Sequence, residues 1–220
     1  EVLRFDSVTG AALGAHVSAG RDGLNAPSAL VLGPDGDLYV SSSLSSEVLR
    51  YDAATGASKG AFVVQFTGGL NGPLGLACGR NGDLYVTSNL TNQVLRYDRR
   101  TGEPTDTMGV RTNILRRPTG VVFGPDGDLY VSGFSSSEIL RFDGRTRSLK
   151  DVFVPERDGG LFQPQQFVFG PDGDLYVTSS TFNIRAVLRY DGQTGEFKGR
   201  FIEQPRGQLL STPAGLTYGP

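Results

Sequence analysis

Side chains able to do nucleophilic or acid–base chemistry are sparse in this 220-residue chain, which has one histidine, His16, and one cysteine, Cys78. A cysteine nucleophile needs a base, and a histidine base needs a carboxylate or a metal to orient it. His16 stands ten residues after Asp6, and at the same offset from Asp52, Asp98, Asp143 and Asp191 come Phe62, Met108, Phe153 and Phe201. An aromatic-sized filler on an outer strand is therefore expected at His16. Cys78 corresponds to Leu32, Phe123, Phe169 and Tyr218, all large and apolar. It is expected to be a small buried hydrophobe.

Charged residues recur more often. Arg4, Arg50, Arg96, Arg141 and Arg189 each precede an aspartate by two positions: Asp6, Asp52, Asp98, Asp143 and Asp191. On a strand such residues share a face. They could form a ring of anion sites, but a site used once need not be copied into every repeat. A structural Arg–Asp contact fixing the turn before Thr-Gly is expected instead. Asp35-Gly36-Asp37 invites a calcium reading, yet a calcium loop needs further alternate acidic ligands, and Leu38 and Val40 take those places.

Positions that break the pattern carry more information. They include Arg21, Asp22, Glu156, Asp158 and Arg206, and the segment 181–185 reads as an insertion. The candidate ligand-binding residues are Arg111, Arg116, Arg117, Arg157, Gln165 and Gln166. Guanidinium groups favour carboxylate and phosphate partners. Gln166 stands where other repeats have Ala or Gly. No catalytic, cofactor-binding or metal-binding residues are expected.

The elements that position these residues follow from a repeat. "GPDGDLYV" starts at Gly33, Gly124 and Gly170, and "GRNGDLYV" starts at Gly79. A second motif, "LRFD" or "LRYD", starts at Leu3, Leu49, Leu95, Leu140 and Leu188. The near-constant spacing of about 46 residues marks a repeat architecture. Each unit holds four short strand-like runs between Gly, Pro, Asn and Asp clusters. In one unit they are Glu47–Asp52, Lys59–Val64, Gly75–Gly79 and Asp83–Ser88. Asp35-Gly36 suits a type I′ hairpin turn with both residues at positive φ. That turn would pair Leu32 with Tyr39, Cys78 with Tyr85, Phe123 with Tyr130 and Phe169 with Tyr176. Neighbouring residues in "LVLG" and "DLYV" are apolar on both strand faces, so each sheet must be covered on both sides. The expected fold class is all-β: a β-propeller of four-stranded blades.

The repeat units are 1–46, 47–92, 93–137, 138–185 and 186–220, read as one array. The chain opens on "EVLRFD" and stops on "GLTYGP", both pieces of the repeat. With five third, outer and inner strands but four second strands, a fragment of a five- to seven-bladed ring is expected. Net charge is −2 with pI near 5.5, which gives no electrostatic footprint for nucleic acid. No apolar run reaches the ~18 residues of a membrane span. A single cysteine allows no internal disulfide.

The runs "GPDGDLYV(S/T)S", "VLRYD" and "TG" resemble NHL-type repeats and virginiamycin B lyase-like and gluconolactonase-like propellers. The resemblance covers essentially the whole chain. It implies a propeller fold, a secreted or periplasmic setting, and a function among lyases, lactonases and binding platforms. Similar lyases use histidine and carboxylates around magnesium, or several histidines on zinc, and one histidine cannot build the latter. The expected function is a non-enzymatic scaffold, without cofactor, binding a protein or small-molecule ligand through variable rim loops. The alternative is a lyase- or lactonase-type enzyme whose catalytic residues lie outside this sequence.

Overall fold

The eight-residue repeat makes a longer turn than its Asp-Gly pair suggests. The computed structural model describes residues 1–109, 114–180, 184–205 and 215–217. At the first hairpin the Gly36 N–H donates to the Gly33 carbonyl (3.0 Å) and the Gly33 N–H to the Asp37 carbonyl (2.8 Å). Only Gly36 has positive φ, at 79°, and Asp35 does not. Pro34 holds φ near −65° by its ring. The result is a type I turn over Pro34-Asp35 with Gly36 as the left-handed bulge residue, not the expected type I′ turn. The loop gains a residue and the register moves by one. Leu32 faces Leu38 and Val31 faces Tyr39, and likewise Cys78 faces Leu84, Phe123 faces Leu129 and Phe169 faces Leu175.

The octet's first glycine has a separate cause. A Cβ on Gly33 would lie 2.6 Å from the Tyr39 ring, and one on Gly124 2.5 Å from the Tyr130 ring. The tyrosine lies across the glycine. Its hydroxyl donates to the turn aspartate, Tyr39 to Asp35 at 2.7 Å and Tyr130 to Asp126 at 2.9 Å.

Strands β1 (Val2–Phe5) and β2 (Ala12–Val17) pair as a two-stranded sheet. Four antiparallel meanders follow, each four-stranded. The first is β3 (Pro27–Leu32), β4 (Asp37–Ser42), β5 (Glu47–Asp52) and β6 (Ser58–Val63). The second is β7 (Pro73–Cys78), β8 (Leu84–Ser88), β9 (Gln93–Tyr97) and β10 (Pro104–Met108). The third is β11 (Pro118–Phe123), β12 (Leu129–Gly133), β13 (Glu138–Phe142) and β14 (Leu149–Val154). The fourth is β15 (Phe167–Phe169), β16 (Leu175–Ser180), β17 (Ile184–Tyr190) and β18 (Phe197–Pro205). These are the blades of a β-propeller, each running inner, second, third and outer strand. Among the described residues, helical structure is limited to three single turns, and no helix is long and apolar enough to cross a membrane. Of the expected fifth inner strand, residues 215–217 form no strand and 218–220 lie outside the described residues.

The chain divides into two compact units, Glu1–Thr91 with Leu95–Asp106, and Asn92–Val94 with Thr107–Pro220. In the first, β4 is buried along its whole length. Tyr39, Val48 and Val63 meet Leu76, Leu84, Val86 and Tyr97 in one core. Strand alternation cannot bury both faces against solvent, so this is the signature of sheets stacked on both sides. In the second unit, Tyr130, Ile139 and Phe153 pack with Phe167, Val177 and Leu188. Phe62 and Phe153 set their ring edges against Tyr39 and Tyr130, at centroid distances of 4.8 and 4.9 Å. His16, at the matching place on β2, is half-buried.

The recurrent arginine does not bind the aspartate two positions on. Arg50 Nε donates to Asp37 (2.6 Å) and its Nη2 to Asp35 (2.8 Å), on the neighbouring hairpin. Arg189 repeats this with Asp174 and Asp172. The guanidinium is too long to fold back two residues along its own strand, and the adjacent strand lies only about 4.8 Å away. Arg141 departs from the rule and pairs with Asp151, its neighbour in register on β14. Asp52 instead holds the turn before Thr-Gly, accepting the Thr55 N–H (2.9 Å) and hydroxyl (2.8 Å).

Candidate functional site

The residues that depart from the repeat gather at the end of blade β11–β14 away from its hairpin. Three stretches meet there: residues 114–117 before β11, Phe134–Ser137 between β12 and β13, and residues 155–166 after β14. Arg117, in the left-handed region at φ 50°, donates its N–H to Asn92 Oδ1 (2.8 Å) and accepts from the Phe134 N–H (3.1 Å). Its guanidinium sits 5.6 Å over the Phe134 ring, a cation–π contact. The Arg116 carbonyl accepts from the Ser135 N–H (3.2 Å). Arg157, at φ 62°, donates its N–H to the Ser137 carbonyl (3.3 Å) and pairs with Glu156 at 3.4 Å. The side chain of Arg157 is 72% exposed. Gln163 donates its N–H to Ser137 Oγ (3.3 Å). Backbone bonds thus fasten three sequence-chosen arginines, Arg116, Arg117 and Arg157, around one short loop.

That loop leads into Glu138, which the sequence reading passed over. Glu138 is buried, at 8% exposure. Its Oε1 has no hydrogen-bond partner among the described residues. Burial pushes its carboxyl above the usual range, the neighbouring Ser136 hydroxyl pulls it part of the way back, the Glu156 charge adds to the rise, and the Arg116 charge offsets a little of it. A carboxyl so placed is a proton donor or acceptor poised nearer neutrality than a surface glutamate.

Gln165 and Gln166 belong to a different part of the rim, at the entry to β15. Their main chain serves the framework. The Gln165 carbonyl accepts from Ser132 Oγ (3.0 Å), and the Gln166 N–H donates to Thr178 Oγ1 (3.0 Å). Both residues are half-buried. Gly120, matching Gln166 one blade earlier, has no room for a side chain, because a Cβ there would lie 2.6 Å from the Gln165 carbonyl oxygen. Arg111 lies outside the described residues. Among the described residues no three His, Cys, Asp or Glu side chains come together as a metal-holding group. They do not by themselves make the metal centre that the resemblance to lyases implies.

The fold and this rim can be set against known proteins. No curated protein sequence matches the chain. Among solved structures, hydrazine synthase of Kuenenia stuttgartiensis superposes with a TM-score of 0.66 at 22% identity, over 86% of this chain and 51% of that one. Virginiamycin B lyase from Staphylococcus aureus superposes at 0.63 and 16% identity, over 94% of this chain and 63% of the lyase. A catalytically inactive variant of that lyase with quinupristin gives 0.63 at 15% identity, over 96% and 71%. The chain thus spans between about half and seven tenths of the length of these proteins. At these identities the likeness shows the propeller fold. The family model described as SMP-30/gluconolactonase/LRE-like region matches residues 7–135. That match takes in more than half of the sequence and runs through the first hairpins and their Arg–Asp–Tyr network, and the chain belongs to this SMP-30/gluconolactonase/LRE-like family.

Proposed function

We propose that the chain is one continuous propeller array that binds a partner or small ligand through the rim of blade β11–β14. The observation that carries this reading is the contrast between framework and rim. Tyr39, Tyr130 and Tyr176 repeat one bond to a turn aspartate, and Arg50 and Arg189 repeat one fork, while Arg116, Arg117, Glu138 and Arg157 occur together once. Exposed guanidinium groups on a backbone already fixed by hydrogen bonds can meet a carboxylate with paired donors without any ordering of the loop itself. The ligand in this reading carries at least one carboxylate, and a hydrogen-bond donor for Glu138. The test is a thermal-shift screen of organic acids and lactones on the wild type and on Arg116→Ala/Arg117→Ala/Arg157→Ala. A ligand that raises Tm in the wild type and not in the triple variant supports the reading. Equal shifts in both proteins would sink it.

The family match and the buried Glu138 favour a second reading, an enzyme of lactonase or lyase type. In it Glu138 moves a proton to or from the bound ligand, and residues outside the described set complete the chemistry. Turnover of any lactone in the same panel, abolished by Glu138→Gln with ligand binding kept, would favour this reading over the first.

A further inference from the structure

A second site lies in the first unit, at the hairpin end of the blades. A cleft of about 440 Å³ opens there between the turn of β3–β4 and the blade β7–β10. It is lined by Asp35, Arg50, Asp98, Arg99 and Arg100, with Pro34 and Gly82 as walls. Three guanidinium groups thus face two carboxylates, and both carboxylates are already engaged. Asp35 Oδ2 accepts from Tyr39 (2.7 Å) and Arg50 (2.8 Å). Asp98 Oδ1 accepts the N–H groups of Arg100 (3.0 Å) and Thr101 (2.9 Å) and the Thr101 hydroxyl (3.0 Å). Arg50 spends its fork on Asp35 and Asp37.

Arg99 and Arg100 are different. Both are exposed. Their guanidinium groups take part in no ion pair among the described residues, although Arg100 feels the Asp98 charge. Arg99 is seated: its N–H donates to Asp83 Oδ1 (3.2 Å), and its stem crosses Gly82. A Cβ on Gly82 would lie 2.8 Å from Arg99 Cδ and 3.0 Å from Pro34 Cγ. Glycine there leaves room for the arginine to reach the cleft. In the second unit, Gly144-Arg145 and Gly192-Gln193 stand at the places of Arg99-Arg100, while Tyr130 and Tyr176 keep the tyrosine bond to the turn aspartates Asp126 and Asp172. The arginine pair is therefore an addition to a framework that is built without it.

We propose that this cleft binds a small oxyanion, a carboxylate or phosphate group, through the guanidinium forks of Arg99 and Arg100. A planar fork fits either group with two parallel hydrogen bonds. The site is independent of the rim around Glu138.

The test uses the whole chain and isothermal titration with inorganic phosphate and with succinate, at ionic strength held constant with chloride. The comparison variant is Arg99→Gly/Arg100→Gln, which installs the residues that the second unit already folds with. Saturable binding is expected in the wild type, weakened at least tenfold in the variant, with an unchanged circular dichroism spectrum. Binding of phosphate alone identifies the source as a phosphate, of succinate alone as a carboxylate, and of both as the shared oxyanion. No saturable binding of either, or equal binding by both proteins, overturns the proposal. Should the double variant misfold, Arg99→Lys/Arg100→Lys keeps the charge and removes the forks. Weakening there supports the forks, and unchanged affinity overturns their role.

Discussion

Ser41 Oγ on β4 lies 2.8 Å from the carbonyl oxygen of Leu74 on β7, so a second-strand side chain closes a hydrogen bond on the inner strand of the next blade. The same oxygen accepts the Ala29 N–H at 2.8 Å. Ser132 does this in the second unit, accepting from Gly120 (2.7 Å) and donating to Gln165 (3.0 Å). Ser41→Ala leaves two backbone groups without a partner, each costing roughly 1–3 kcal/mol if water cannot reach it. The expected loss in chemical denaturation is about 1–3 kcal/mol in all, because Ala29 and Leu74 are only half-buried and water replaces part of the lost bonding. Ser41→Thr is expected to stay within about 0.5 kcal/mol of wild type, because Thr87 and Thr178 fill the same role toward Gly75 and Gln166.

The glycine of the Thr-Gly dipeptide is demanded twice over at Gly56, Gly102 and Gly195. Gly102 has φ 71°, and a Cβ on it would lie 2.1 Å from the Phe62 carbonyl oxygen. Gly56 and Gly195 stand in the same relation to His16 and Phe153, at 1.9 and 2.0 Å. Gly102→Ala is expected to cost roughly 2–4 kcal/mol, from left-handed strain and backbone displacement together. Arg147 occupies this place in one blade at φ 65°. Arg147→Gly is expected to raise stability by about 1 kcal/mol, read as a higher denaturation midpoint.

Much of the architecture can be read from the letters, because a period of about 46 residues with Gly and Pro punctuation admits few folds. The strands Glu47–Asp52 and Leu84–Ser88 fall within a residue of expectation. The hairpin register differs from expectation for a local reason. Asp-Gly reads as a two-residue turn, but the side chain of Asp35 or Asn81 accepts the N–H two residues on, and positive φ falls to the glycine alone whether proline or Arg80 precedes. The arginine partner differs because the next-but-one residue on a strand is nearer in sequence than the preceding hairpin, yet farther for the guanidinium. At the candidate site, Arg116, Arg117 and Arg157 stand out in the letters as departures from the repeat. Glu138 does not, since Glu47 and Gln93 hold the same place. Only the loops packed around it separate the buried glutamate from its half-buried counterparts.

Glu138 gives a pH signature of definite sign. Its folded pKa is raised above 4.5. Below about pH 4.5 it is protonated in both states and costs nothing. As pH rises through the folded value, the unfolded chain has ionised the group and the fold resists, so stability is lost. Glu138→Gln is expected to be near neutral at about pH 4 and stabilising at about pH 7, read as a higher denaturation midpoint only at the higher pH. A variant neutral at about pH 4 and less stable than wild type at about pH 7 would mean that the ionised carboxylate holds the rim together.

The turn aspartates act in the opposite sense. Hydrogen bonds from Thr55 lower Asp52, those from Thr101 and Arg100 lower Asp98, and the Lys198 ammonium with the Thr194 N–H lowers Asp191. Each contributes stability that is present above about pH 4 and is lost as pH falls through its depressed value. Melting temperature is expected to fall steeply between about pH 4 and pH 2. A flat profile over that range would contradict the turn geometry.

His16→Phe is expected to change stability by less than about 0.5 kcal/mol. Phe62 and Phe153 gain from a tyrosine ring on the second strand of their own sheets. The sheet of His16 has two strands and offers no such ring, so the larger side chain adds area without a partner. Calorimetry of the variant checks this directly.

The glycine turns also set a direction in time. Gly56 closes over the backbone of His16, Gly102 over that of Phe62, and Gly195 over that of Phe153, each seat lying nearly one repeat earlier in the chain. Within each unit the later segment always settles on a strand already made. During synthesis at about 5–20 residues per second, a new turn would leave the ribosome a few seconds after its seat. The nascent chain thus meets a finished edge rather than waiting for a distant one, and truncation from the carboxyl end removes later glycine turns without removing the seats of earlier ones.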